Sequence, residues 1–78
     1  MKARAPTDAA LQRLAEKHLG NGGRLVYLHE IHDGWWQARC ESDLAKSAIL
    51  AQGCSRAQTA HAMADILGGI GYRNGKNP

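Results

Sequence analysis

Leu25-Val-Tyr-Leu-His-Glu-Ile-His-Asp-Gly-Trp-Trp-Gln-Ala-Arg-Cys40 reads as two strands joined at Asp33-Gly34. Asp-Gly suits a two-residue hairpin loop because both residues tolerate the left-handed backbone such a loop needs. With that loop, His32 faces Trp35, Ile31 faces Trp36, Glu30 faces Gln37 and His29 faces Ala38. Alternation then puts Leu25, Tyr27, His29, Ile31, Trp36, Ala38 and Cys40 on one core-like face. Val26, Leu28, Glu30, His32, Trp35, Gln37, Arg39 and Glu41 share the other, with Glu30 diagonal to Arg39 and able to attract it. Trp36 is thus expected to anchor the sheet to its helices, and Trp35 to stand near solvent. A one-residue slip would exchange the two.

The flanks read as helices. Pro6-Thr7-Asp8 is a helix start, with Thr7 as cap and Asp8 at the electropositive end. Leu11, Leu14, Ala15, His18 and Leu19 form one stripe at helical spacing, and Gly20-Asn-Gly-Gly23 ends it. After the hairpin, Ser42 can cap a short helix to about Gln52, its inner side being Leu44, Ala45, Ala48 and Ile49 and its stop Gly53. Ser55-Arg-Ala-Gln58 is a capping box. The helix it opens runs to about Leu67, with Thr59, Ala60, Met63, Ala64, Ile66 and Leu67 for packing and Gly68-Gly69 as its stop. Ile70 and Tyr72 can add a last extended segment. The expected fold is α+β: one domain over 1–78, a short antiparallel hairpin or sheet packed by helices in the order α-β-β-α-α. Residues 1–6 and 73–78 are expected to be flexible tails. Two strands make a weak sheet, so a short third strand or a second copy completing it is expected.

The chain has 78 residues and no phenylalanine, and alanine supplies much of its 44% apolar content. Its large apolar side chains must therefore be used efficiently, and a partner that completes the core is a natural expectation. No apolar run approaches the roughly 18 residues needed to span a bilayer. The N-terminus lacks a hydrophobic signal segment, which points to the cytoplasm. Cys40 and Cys54 are then read as free thiols. No C-x-x-C or H-x-x-x-H pair is present, and the odd spacing of His29 and His32 on a strand sends them to opposite faces. Neither metal nor cofactor is expected. A formal charge of +3, with its basic residues scattered, is a mild bias toward acidic partners rather than a nucleic-acid footprint.

Three functional readings follow. The first is a small stoichiometric regulator or inhibitor that binds a protein through Trp35, Glu30, His32 and Arg39, with self-association through the hairpin edge or the alanine-rich helices. Encoding by a mobile element is compatible with this size and composition. The second takes residues 44–67 as a helix-turn-helix-like DNA-binding unit, presenting Arg56, Gln58, Thr59 and His61 to the duplex. The third is a small enzyme or a subunit of a larger complex. It would use Cys40 or Cys54 with a histidine, or Glu30 beside His29 or His32; His61 and Asp65, one turn apart on the last helix, are read as a surface pair. Gly20-Asn-Gly-Gly-Arg24 could hold an anion but lacks a phosphate-loop lysine and serine, and the chain is read as no enzyme. His18 and His29 are read as partly buried histidines hydrogen-bonded to backbone.

Gly34-Trp35-Trp36, with Ser55, Arg56, Ala60, Ala62 and Ala64 on a later helix, resembles the small hairpin-and-helix domains of HicB-type antitoxins. The N-terminal helix and the helix expected before Gly53 depart from that pattern. The resemblance implies a protein that binds and inhibits another protein, and it carries no catalytic residue.

Overall fold

A computed structural model describes residues 4–43 and 48–76, with 70–76 by their backbone. Its elements are α1 (Asp8–Leu19), β1 (Arg24–His32), β2 (Trp35–Glu41), β3 (Ile49–Gly53) and α2 (Arg56–Lys76). The strands form one antiparallel sheet in the order β1-β2-β3. Both helices pack on one side of it, giving a two-layer α+β domain.

The helix starts follow their sequence signals. Thr7 Oγ1 accepts the Ala10 N–H at 3.1 Å, and Leu11 and Ala15 are buried below it. At α2, Ser55 Oγ accepts the Gln58 N–H at 3.0 Å. The reciprocal bond reaches one residue further back than a standard box, with Gln58 Oε1 accepting the Cys54 N–H at 2.6 Å.

Residues 49–53 form a strand where the sequence pattern predicts a helix. Ile49, Ala51 and Gly53 alternate toward the helices, and pairing with β2 satisfies backbone groups that the hairpin alone would leave open. Of the expected inner residues, Leu44 and Ala45 lie outside the described residues. The order is therefore α-β-β-β-α, and the third strand precedes the last helix rather than following it. α2 also runs through Gly68-Gly69 to Lys76, over the segment expected to be extended at Ile70 and Tyr72 and into residues assigned to the tail. Neither glycine takes a positive φ. A helical glycine costs about 1 kcal/mol, which burial of Leu67 and Met63 on the same helix offsets.

The hairpin turns at Asp33-Gly34, but only Gly34 has a positive φ, at 72°. A single left-handed residue closes a hairpin through an adjacent bulge rather than through a doubly left-handed turn. The register is accordingly His32↔Trp35, then Glu30↔Trp36, His29↔Gln37, Leu28↔Ala38 and Tyr27↔Arg39, then Leu25↔Cys40. Ile31 and Val26 are the extra residues. Between the two bulges the expected faces are exchanged. Leu28 turns to the helices, while Tyr27 and His29 turn away, so the apolar side chain goes inward and the polar ring outward. Leu25, Trp36, Ala38 and Cys40 keep their expected side.

The core is Leu11, Ala15, Ala38, Cys40, Ala51, Ala60, Met63 and Leu67, with Leu14, Leu19, Leu25, Leu28 and Ile49 packed at its margin. Small side chains at its centre let the layers approach closely. A Cβ on Gly23 would lie 2.2 Å from the Ala15 carbonyl oxygen, so only glycine lets the chain pass α1 into β1. Gln12 secures the same junction: its Oε1 accepts the Leu25 N–H at 2.9 Å, beside the Val26 bulge.

Candidate functional site on the open face of the sheet

No described element covers the side of the sheet turned away from the helices. The register places Arg24, Tyr27, His29 and His32 from β1 there, with Glu41, Arg39, Gln37 and Trp35 from β2 and Leu50 and Gln52 from β3. Trp35 is 41% exposed and Leu50 45% exposed. Tyr27 and His29, two apart on β1, stack with ring centroids 4.3 Å apart and planes within 8°. Tyr27 donates its hydroxyl hydrogen bond to Gln37 Oε1 at 3.0 Å, and Trp35 Nε1 donates to Gln52 Oε1 at 3.2 Å. These bonds run across the strands and hold the rings in place.

The charges gather at the other end of this face. Arg39 Nε lies 2.7 Å from Glu41 Oε2, and Arg24 Nη2 lies 3.2 Å from Glu41 Oε1. The hydrogen bond from Arg39 holds the Glu41 carboxyl below its ordinary range, with Arg24 adding to the effect, and the same bond raises Arg39. The face thus runs from a partly neutralised arginine pair, through stacked rings, to an exposed indole. This mixture is typical of interface composition and carries no continuous positive track.

Three of the four residues expected to bind a protein, Trp35, His32 and Arg39, share this face. Glu30 does not: the Ile31 bulge moves it to the side of Trp36, and its Oε2 accepts the Gly34 N–H at 2.6 Å. The expected Glu30–Arg39 attraction is replaced by Arg39–Glu41. Trp36 is half-buried and Trp35 exposed, the expected order, but the core side chains do not include Trp36 as the expected anchor. The same bulge brings His29 and His32 to one face despite their odd spacing. Among the described residues no three His, Cys, Asp or Glu side chains gather as a metal ion would need. His29 is exposed on its stack with Tyr27 rather than partly buried, and His18 is half-buried on α1.

The second expected site is occupied by internal contacts. Arg56 donates to Asp8 Oδ1 at 2.7 Å and to the Pro6 carbonyl at 3.1 Å, tying the start of α2 to the start of α1. Gln58 caps the helix, and buried Thr59 donates its hydroxyl to the Ser55 carbonyl at 2.8 Å. His61 is half-buried. The helix expected ahead of them is β3 over residues 49–53.

The thiols differ. Cys40 is buried, and desolvation pushes its pKa up to about 11, which keeps it protonated. Cys54 is exposed just before the Ser55 cap. The Gly20–Arg24 loop has the chain's own Asp43 carboxylate beside Gly22. Asp43 N–H donates to the Asn21 carbonyl at 2.9 Å, and its Oδ1 lies 3.7 Å from Arg24 Nη1. Sequence reasoning missed Tyr27 and Gln52 as parts of the exposed face and Gln12 as a brace, while Gln37 lies on the face that alternation assigns it. Strict alternation hid Tyr27, and no local signal distinguishes a bracing glutamine.

Comparison with protein-family models, with curated proteins and with solved structures gives no match. Among the described residues no helix is long and apolar enough to cross a membrane.

Proposed function

We propose that this chain is a stoichiometric binding protein whose open sheet face docks on a partner protein. The observation that carries this reading is Trp35, an exposed indole held by Gln52 on a rigid sheet, with the Tyr27–His29 stack and Arg39 on the same face. Tryptophan, tyrosine and arginine dominate interface energetics because they bury much area while losing few rotamers. Hydrogen bonds that preset the rings lower the ordering cost of binding. The likeness to HicB-type domains adds an inhibitory sense to the binding. It rests on a hairpin that turns into Trp35-Trp36 and a helix opened by Ser55, while α1 ahead of the hairpin departs from it. The DNA-binding reading has less support, since Arg56, Gln58 and Thr59 already spend their polar groups inside the fold.

The test is capture from the native host with nuclease present, comparing the natural protein with Trp35→Ala. The natural protein is expected to retain a defined protein in equimolar amount, and Trp35→Ala to lose it with an unchanged melting curve. Equal capture by both would defeat the proposal. Release of the captured material by nuclease would favour the nucleic-acid alternative.

A further inference from the structure

Among the described residues, the order β1-β2-β3 leaves two strand edges without a partner strand, and they are unlike each other. β1 is broken by bulges at Val26 and Ile31 and carries Arg24, Glu30 and two histidines. Bulges and charges are the ordinary devices that stop an edge from accepting another strand. β3, Ile49-Leu-Ala-Gln-Gly53, has neither charge nor proline and pairs with β2 without a register shift. A regular, uncharged edge is the kind onto which a further strand adds.

We infer that the β3 edge pairs with β3 of a second copy, antiparallel about a two-fold axis at Ala51, joining two three-stranded sheets into one. This lies beyond the partner-binding proposal and does not depend on it. The occupant is argued from self-complementarity. Pairing about Ala51 sets Ile49 opposite Gly53 of the second copy and Leu50 opposite Gln52 of the second copy. On the helix side a branched side chain meets a residue with none, and Ala51 meets its own equivalent. On the open side Leu50, 45% exposed, meets a glutamine already held by Trp35, so its methyl groups reach toward that indole. No ionised group is buried by this contact.

The helix above the edge matches it. Thr59 packs against Gly53, where a Cβ would lie 2.9 Å from Thr59 Oγ1. Ile66, 37% exposed, is seven residues on and shares that stripe with Ala62. Leu50 borders this edge on the open side of the sheet, and an isologous dimer uses it twice.

A charge exchange tests the register. Leu50→Lys/Gln52→Lys places lysines directly opposite lysines across the axis, and Leu50→Glu/Gln52→Glu does the same with carboxylates. Both positions are exposed, so circular dichroism of each variant should match the natural chain. Sedimentation at about 100 μM, ample for a weak but specific homodimer, is expected to show the natural chain as a dimer and each variant alone as a monomer. Mixing the two variants should restore a one-to-one dimer, since every introduced ammonium then faces an introduced carboxylate across the axis. A monomeric natural chain, a dimer that survives in the lysine variant, or a mixture that stays monomeric would each overturn the inference.

Discussion

Cys40 and Cys54 show how far two chemically identical side chains diverge within one small fold. Cys40 lies on the helix side of β2 with none of its surface exposed, and Cys54 stands free ahead of α2. Titration with a disulfide reagent near pH 8 is therefore expected to find one reactive thiol in the native protein and two after denaturation. Two fast thiols in the native state would place Cys40 at the surface. The same burial couples stability to alkaline pH. The folded Cys40 pKa of about 11 lies above the ordinary 9.0, so the unfolded chain releases its proton first. The stabilisation is complete below pH 9 and is lost as pH rises toward 11, by about 2 kcal/mol from this group. The tryptophans differ in the same sense but by less, Trp36 half-buried and Trp35 exposed, and this split at adjacent positions follows from strand alternation.

Among the elements, the connections are more exacting than the strands and helices. Gly34 takes a left-handed φ with open space around it, so Gly34→Ala should cost only about 1–2 kcal/mol of backbone strain. Gly23 faces a carbonyl oxygen that cannot swing aside, and Gly23→Ala should cost about 3 kcal/mol, as for an overpacked core. Urea melts of the two variants should rank them in that order, and the reverse ranking would mean that α1 does not approach β1 so closely. The elements legible in the sequence are those with local chemistry at their ends: Thr7 before α1, Asp33-Gly34 in the hairpin, and Ser55 before α2. Elements decided by distant partners are not legible. Residues 49–53 offer Ile and Ala at helical as well as strand spacing, and the free edge of β2 settles the choice. Gly68-Gly69 reads as a stop until α2 is packed through Leu67. The exposed face is half legible: Trp35, His32 and Arg39 follow from alternation near the turn. Tyr27 and Glu30 change sides at bulges that no residue type announces.

At the scale of the whole molecule, nearly all large buried side chains belong to helices, while the sheet contributes Ala38, Cys40 and Ala51 at its centre. The sheet is thus a thin floor under α1 and α2, and its own bulky residues are distributed to margins, edges and the open face. A chain this short buries a smaller fraction of its surface on folding than a larger domain does. Exposed Leu50, Trp35 and Ile66 are apolar area not used within the monomer. Covering it by pairing along β3 or by a partner on the open face would stabilise the fold by mass action as well as complete it. Binding and folding are in that sense the same reserve of surface.

β1 has nine residues and β2 seven, and the two bulges absorb the difference. Val26 and Ile31 are spare residues: each can be removed without changing which side of the sheet any neighbour occupies. Deleting Ile31 leaves Glu30↔Trp36 and His32↔Trp35 as consecutive pairs, and frees Asp33-Gly34 to form the tight loop its sequence suits. Deleting Leu28 instead drags the start of β1 out of phase and removes a core contact. The Ile31 deletion should keep a cooperative thermal transition, and the Leu28 deletion should abolish it. If both collapse alike, the bulges are structural necessities. If they behave as expected, this strand is where the chain can change length and keep its fold.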